Sequence, residues 1–331
     1  VLDVAPVGSS LPPTCVGPAP VFDPLAPTIF HQPWWLSAVT EGNYEEVTVS
    51  AGGRTVGRFP YVRTPVFGPH KLCGMPPLTH FLGPAIDEGQ GASCNRILRR
   101  AQITRDLLKS VSACTGFWQK LHRGTSDVLP YQELGYSSTV QFTFEVPPLP
   151  PKTLWRNMRD KTRNVIRRAD EQYTTVKVGD FEAFARFYIA NVQQRGQKSY
   201  YGASLISRIC EAASCRGQGR VLAAKTQSGN MAAAIFYVWD AQAAYYLLST
   251  RSTECSNGAV SLLLWEAIQH ISGQNLIFDF DGIITSGSAL FFTGFGGQIA
   301  PRYVVSRYTL GHRLAGRIAN PLRRRSAETY M

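Results

Sequence analysis

Apolar and polar positions along this chain recur with two periods, one of two residues and one of three to four. The clearest alternation lies at residues 275–281. Leu276, Phe278 and Phe280 fall on one side of a strand, and Ile277, Asp279 and Asp281 on the other. The two carboxylates are therefore expected on one side, about 7 Å apart at about 3.3 Å per residue. Gly282 permits a sharp turn off the strand end. Ser286 or Ser288 is expected to cap a short helix through Phe292, which Gly294, Gly296 and Gly297 then end.

The same reading orders the rest of the chain. Residues 1–33 carry eight prolines and little periodicity, so they read as an extended arm. A short helix is expected at 32–40, with Trp34, Trp35 and Leu36 seeking cover. Strands at 46–50 and 54–62 flank Ala51, Gly52 and Gly53, a hairpin signal. Residues 66–87 read as loop. A helix at 93–112, a strand at 117–121, a short helix at 127–134 and a long strand at 137–146 follow. The prolines of 147–151 form a stiff bridge. Beyond it a long helix is expected from Thr153 to about residue 171, then strands at 174–178, 220–225, 231–239 and 243–250. Helices interleave at 180–194 and 203–214. A helix at 258–272 precedes the strand at 275–281, and a strand at 299–310 closes the order.

The halves repeat one order of elements. Sliding the chain by 161 positions lays residues 129–135 over 290–296, matching Leu, aromatic, apolar and Gly positions. A tandem duplication of one α/β (α+β) unit follows, divided as an arm (1–33), a first domain (34–146), a linker (147–151), a second domain (152–312) and a basic tail (313–331).

Composition adds location to charge. The net charge is +11, and residues 152–169 and 302–331 each hold seven Lys or Arg against one acid. Concentrated basic segments point to an anionic partner. No apolar run approaches the length of a membrane span, and the start of the chain has no signal pattern, so the cytoplasm is expected. Seven scattered cysteines without a Cys-x-x-Cys pair read as free thiols in a reducing compartment, and no metal site is expected. Serine-nucleophile, phosphate-loop and zinc-protease motifs are absent.

Two further stretches carry candidate chemistry. On the helix after Thr153, Leu154, Met158, Thr162, Val165, Ile166 and Ala169 form the apolar face. Arg156, Arg159, Arg163 and Arg167 form the opposite ridge, with Lys161 and Arg168 beside it, which suits phosphate groups. After the strand at 243–250, Arg251 and the helix start at Ser256, Asn257 and Gly258 form a possible anion cradle. Tyr200 and Tyr201 read as a polar aromatic loop.

These residues carry a resemblance. The basic helix 154–169, the helix start at Asn257 and Gly258, and Asp279, Phe280, Asp281 and Gly282 followed by residues 291–297 resemble the Fem-type branch of the Gcn5-related N-acyltransferase (GNAT) superfamily. The first half resembles it more loosely, through residues 32–36 and 129–144. The resemblance implies two tandem GNAT-like domains, each a mixed, strongly bent sheet flanked by helices. It implies an amide-forming transferase that moves an aminoacyl group from aminoacyl-tRNA to an amine on a peptide, cell-wall precursor or natural-product intermediate. Asp281, then Asp279, would position or deprotonate the amine, with Tyr246 as leaving-group acid. Arg251, Asn257, Gly258, Phe291 and Phe292 would meet the donor or the oxyanion. Arg156, Arg159, Lys161, Arg163 and Arg167 would meet RNA or another anion, and Tyr200, Tyr201 and Phe295 would line the substrate. Two departures stand out. Cys255 and Val260 replace residues of the family's pyrophosphate cradle, and Phe292 stands where Fem-type enzymes often carry Lys. An acyl-CoA-dependent N-acyltransferase acting on an amino sugar or amino acid is the alternative, and a non-catalytic RNA- or anion-binding module on the same scaffold is a second.

Overall fold

The computed structural model describes residues 20–67, 70–111, 114–255, 258–282 and 285–311. A 3-10 turn at Ile29–His31 leads into α1 (Pro33–Thr40). The expected hairpin is β1 (Glu45–Ala51) and β2 (Arg54–Phe67). β3 (His70–Gly74) and β4 (Ala85–Ile86) lie where the sequence reads as loop, because short strands among Pro and Gly carry too few positions to show a period. Then come α2 (Ser93–Ser110), β5 (Gly116–Lys120), α3 (Leu129–Glu133) and β6 (Ser137–Val146). The second half runs α4 (Pro151–Asn157), α5 (Asp160–Asp170), β7 (Thr174–Lys177), α6 (Phe181–Gln194) and α7 (Ala203–Ser214). It continues with β8 (Gly219–Lys225), β9 (Met231–Trp239), β10 (Ala243–Arg251) and α8 (Gly258–Ser272). β11 (Ile277–Asp279), α9 (Ser286–Thr293) and β12 (Gln298–Tyr308) end it.

One mixed sheet runs through both halves in the order β1-β2-β3-β5-β12-β6-β11-β10-β9-β8-β7. The last strand of each half lies against the sheet of the other: β12 pairs with β5, and β6 with β11. The duplication is visible in the register. Gly116 and Ile277 open β5 and β11, and Ser137 and Gln298 open β6 and β12, each pair 161 positions apart, as are Lys120 and Asp281. Gln141 and Arg302 have the same offset and face each other in the β6–β12 ladder, so a pseudo-two-fold axis passes between them.

Alternation along β11 sends its side chains into two cores, as the sequence predicts. Leu276, Phe278 and Phe280 pack under α5 and α8, and Ile277 packs on the opposite face with residues 29–39, α6 and α7. A third core joins β2, β5, α2 and α3.

The long helix expected after Thr153 is two helices. Met158 is buried and extended (ψ 151°), and the Arg159 amide donates to the Gly294 carbonyl at 3.1 Å instead of continuing the helix. Docking of the Gly294–Gly297 turn causes this break, which no local propensity announces. That turn needs glycine: a Cβ at Gly296, whose φ is +79°, would meet the Asn157 carbonyl oxygen at 2.5 Å.

The cysteine reading is also corrected. Cys73 and Cys114, with Cα atoms 5.9 Å apart, form a disulfide, because parallel pairing of β3 with β5 brings them together. Cys94, Cys210, Cys215 and Cys255 are free, and Cys15 lies outside the described residues. Among the described residues no helix is long and apolar enough to cross a membrane, and no His, Cys, Asp and Glu group could hold a metal.

Two buried histidines predict acid sensitivity. His122 Nε2 donates to the Pro84 carbonyl (3.1 Å), and its Nδ1 accepts from the Gly124 amide (3.2 Å). His31 bonds likewise to Gly83 (3.2 Å) and Thr28 (2.8 Å). The Gly124 amide needs an unprotonated Nδ1 on His122, whereas the Thr28 hydroxyl can bond His31 in either state. Burial pushes His122 from 6.5 to about 4, and burial with His122 nearby holds His31 well below its usual value. The unfolded chain therefore binds more protons below pH 6.5, and stability falls as pH drops from 6.5 toward 4. Each ring contributes about 1.4 kcal/mol per pH unit. Urea unfolding at pH 7.5 and 5 is expected to show this loss, and His122→Gln to lessen it. An unchanged slope in the variant would show that His122 is not held neutral.

Candidate active site

β10 and β11 run parallel only as far as Tyr245 and Asp279. Beyond them the register of β10 shifts between Tyr246 and Leu248, and the strand continues to Arg251 while β11 stops. The strands part, and the chain leaves β11 through Asp281 (φ +53°) and Gly282 (φ +108°), left-handed positions that Asp tolerates and Gly favours. The sharp turn at Gly282 agrees with the sequence. A same-side pair of strand carboxylates does not, because the left-handed turn takes Asp281 out of the strand.

The two acids consequently have different surroundings. Asp279 is fully buried: Arg302 Nη2 donates to its Oδ2 at 2.8 Å, the Thr143 hydroxyl and the Asp281 amide (2.8 Å) donate to its Oδ1. Arg302 also binds Glu145, which Arg123 reaches at 2.7 Å. The Gly282 amide donates to Thr143 at 3.1 Å, so the network fixes the turn that carries Asp281. Asp279 is thus a structural anion with no free approach for an amine, which corrects its expected role in proton transfer.

Asp281 stands over the pseudo-two-fold axis. Lys120 Nζ, from the end of β5, approaches its Oδ1 at 3.2 Å, and His80 Nδ1 faces its Oδ2. His80 sits in the 75–84 segment between β3 and β4, where the corresponding β10 is continuous apart from its register shift. Phe81 beside it faces both cations, Lys120 Nζ at 4.7 Å and Arg302 at 5.3 Å from its ring centre. The His80 and Lys120 side chains remain 18% and 13% exposed, so the cluster has an open side.

Electrostatics set the protonation states. Burial first, then the Lys120 charge, lower His80 to about 3 and keep it neutral. Burial lowers Lys120 to about 8, against Asp279, which raises it, and with Arg302, which lowers it. An anion, a neutral imidazole and an easily deprotonated ammonium therefore meet in one place, a combination suited to moving a proton and stabilising an oxyanion. Sequence reasoning missed His80, Lys120, Arg302 and Glu145. For Lys120 a signal existed, its offset of 161 from Asp281.

Other expected residues are placed as follows. Tyr246 is partly buried where the strands part, its ring 6.2 Å from Phe280 and 6.4 Å from Phe292, and burial raises its hydroxyl to about 12. Arg251 binds the Cys255 carbonyl at 2.7 Å and so pins the loop before α8, rather than standing free for a donor. Gly258 is buried at the start of α8, and Asn257 lies outside the described residues. Phe292 stacks on Phe280 at 4.6 Å, and Phe291 is half-buried beside it. Phe295 is fully buried, which corrects its substrate-lining role. Thr285, not Ser286 or Ser288, caps α9, through a reciprocal bond with Ser288.

Arg163 is a second correction. Its guanidinium turns back onto the carbonyls of Trp155, Arg156 and Met158 (3.2, 3.0 and 2.8 Å), capping the end of α4, and it pairs with Asp160. The helix break that frees those carbonyls also splits the expected ridge. Arg156, Arg159, Lys161 and Arg167 stay exposed, with Arg167 over the Trp155 ring at 5.4 Å. Tyr200 is exposed and lines a cleft of about 710 Å³ with Tyr188 and Lys198; Tyr201 is half-buried behind it. Arg195 ties this loop to the end of β10 through the Arg251 carbonyl at 2.6 Å.

Residues 156–285 match the acetyltransferase (GNAT) domain family. The structure is similar to that of FemX (TM-score 0.62, 13% identity), over 86% of this chain and 93% of that one. It is also similar to the C-terminal domain of a lysylphosphatidylglycerol synthetase from Agrobacterium fabrum (0.56, 12%, over 87% and 91%). L-PGS from Bacillus licheniformis aligns comparably (0.55, 12%, over 86% and 91%). At such identities the likeness shows a shared fold. No curated protein matches the sequence.

Proposed function

We propose that this chain, an acyltransferase of the GNAT superfamily with a Fem-type fold, moves an aminoacyl group from aminoacyl-tRNA to an amine acceptor in the cytoplasm. The observation that carries the reading is the cluster of Asp281, His80 and Lys120 beside the parting of β10 and β11. The amine nitrogen attacks the ester carbonyl, its proton passes to the Asp281–His80 pair, and Lys120 faces the developing oxyanion. Collapse forms the amide and releases the ribose hydroxyl, which takes the proton back, with Tyr246 close to the opening. Lys120 supplies the positive group that Phe292 does not. The exposed Arg156, Arg159, Lys161 and Arg167 suit a phosphate backbone.

The residues fit a coenzyme A pyrophosphate poorly. Val260 packs against the core at the start of α8, and Arg251 is engaged by the loop carbonyls. The acetyltransferase family match favours acyl-CoA use as the second reading. Transfer of a labelled amino acid from a mixed pool of charged tRNA, beside consumption of acetyl-CoA, separates the two in the presence of cell extract as acceptor source. Label in an amide product supports aminoacyl-tRNA, and loss of acetyl-CoA alone supports the second reading. If neither donor is consumed, the transferase mechanism is wrong.

A further inference from the structure

A cavity of about 330 Å³ lies in the first half, between β4, α2, α3 and the residues after β5, with Pro24 and Pro27 as its outer wall. It is the pseudo-symmetric counterpart of the region beside the parted strands. Tyr131 in its wall stands 161 positions before Phe292, the offset that relates Lys120 to Asp281. In the second half this space is filled, since Phe292 and Phe295 both pack on Phe280. In the first half Gln119 stands where Phe280 would be, and its amide donates to the Pro60 carbonyl at 3.1 Å.

The lining has three features that a mere packing gap lacks. Tyr131 is 1% exposed, and its hydroxyl has no hydrogen-bond partner among the described residues. A buried hydroxyl left unpaired is costly and calls for an acceptor. Arg100 is internally neutralised, by Glu88 at 2.8 Å and Asp127 at 3.0 Å. That leaves the exposed Arg96 and the half-buried Asp87, of opposite charge on the same cavity, which form no ion pair with each other or with any other described residue. Asp87 accepts from the Gly89 amide through Oδ1 (2.9 Å), and its Oδ2 accepts no hydrogen bond from the described residues. Pro24, Pro27, Ile86 and Pro130 add apolar wall, beside Thr104, Thr125 and Gln242.

We propose that this cavity binds a small zwitterion with an apolar side chain, a free α-amino acid or dipeptide. Its carboxylate meets Arg96, its ammonium meets Asp87, and an oxygen accepts from the Tyr131 hydroxyl. The volume is at the lower end of the range for small-molecule sites, about 300–1,000 Å³. A simple anion would be repelled by Asp87, and a simple cation by Arg96. His122, two residues beyond Lys120, forms part of the wall, so the site lies behind the cluster and is distinct from it.

Isothermal titration calorimetry of the full chain with L-leucine and L-phenylalanine tests this. Each amino acid is expected to bind, and leucinamide and N-acetyl-leucine to bind about tenfold more weakly, because each loses one charged contact. Arg96→Gln and Tyr131→Phe are expected to weaken L-leucine binding, while Asp281→Asn leaves it unchanged. The last comparison separates this site from the transfer reaction, since binding persists whether or not the chain is a transferase. Absence of heat with both amino acids at millimolar concentration overturns the proposal, as does equal binding of leucinamide or no effect of Arg96→Gln.

Discussion

Asp281→Asn is expected to lower the rate of acyl transfer by about 10²- to 10⁴-fold, the range for loss of a positioned acid–base group. The substitution keeps the size of the side chain and its left-handed turn, which Asn also tolerates. It removes the anion that holds Lys120 at 3.2 Å and faces His80 Nδ1. The amine proton then lacks its acceptor, and the imidazole loses its orientation. The loss should fall on kcat, with KM for the donor little changed, because the exposed arginines lie elsewhere. Lys120→Met is expected to act in the same direction. Its rate should lose the alkaline limb near pH 8, where the lowered Lys120 discharges in the parent protein. Retention of more than about a tenth of the parent rate by Asp281→Asn would remove the cluster from the chemistry.

Arg302→Met has the largest expected effect on stability, a loss of about 3–5 kcal/mol in urea unfolding, as for other broken buried ion pairs. Arg302 is 6% exposed and is the cation shared by Asp279 and Glu145. Without it Asp279 keeps only neutral donors, and Glu145 keeps Arg123. Arg302→Lys preserves one charge without the fork and should lose less. A deficit under about 1 kcal/mol at pH 8 would mean that water satisfies the two carboxylates, and that the network does not hold the Asp281 turn.

These effects depend on residues that were unequally legible beforehand. The alternation through Leu276, Phe278 and Phe280 reports its own environment, since a two-residue period needs no partner to be read. The turn at Gly282 and the repeat of elements were legible for the same local reason. The break between α4 and α5 was not, because Met158 and Arg159 have helical propensities and are pulled out by the Gly294 carbonyl. Arg163 looked like a free member of a ridge until that break gave it three carbonyls to cap. His80 sits in a proline-rich segment with no period and acquires meaning from what it faces.

The sequence by itself determined most of the order of elements, the duplication, the basic helix after Thr153 and the strand end where Asp281 stands. Each is a matter of spacing within a few residues, or of an offset along the chain. Tertiary structure decided that the last strands are exchanged between the halves. That exchange places the pseudo-two-fold axis between Gln141 and Arg302. It also decided that Asp279 is locked beneath Arg302, while Asp281 meets a lysine and a histidine from the other half. Ion pairs across 161 and more residues depend on how a bent sheet folds back on itself, and no local pattern of side chains encodes that distance.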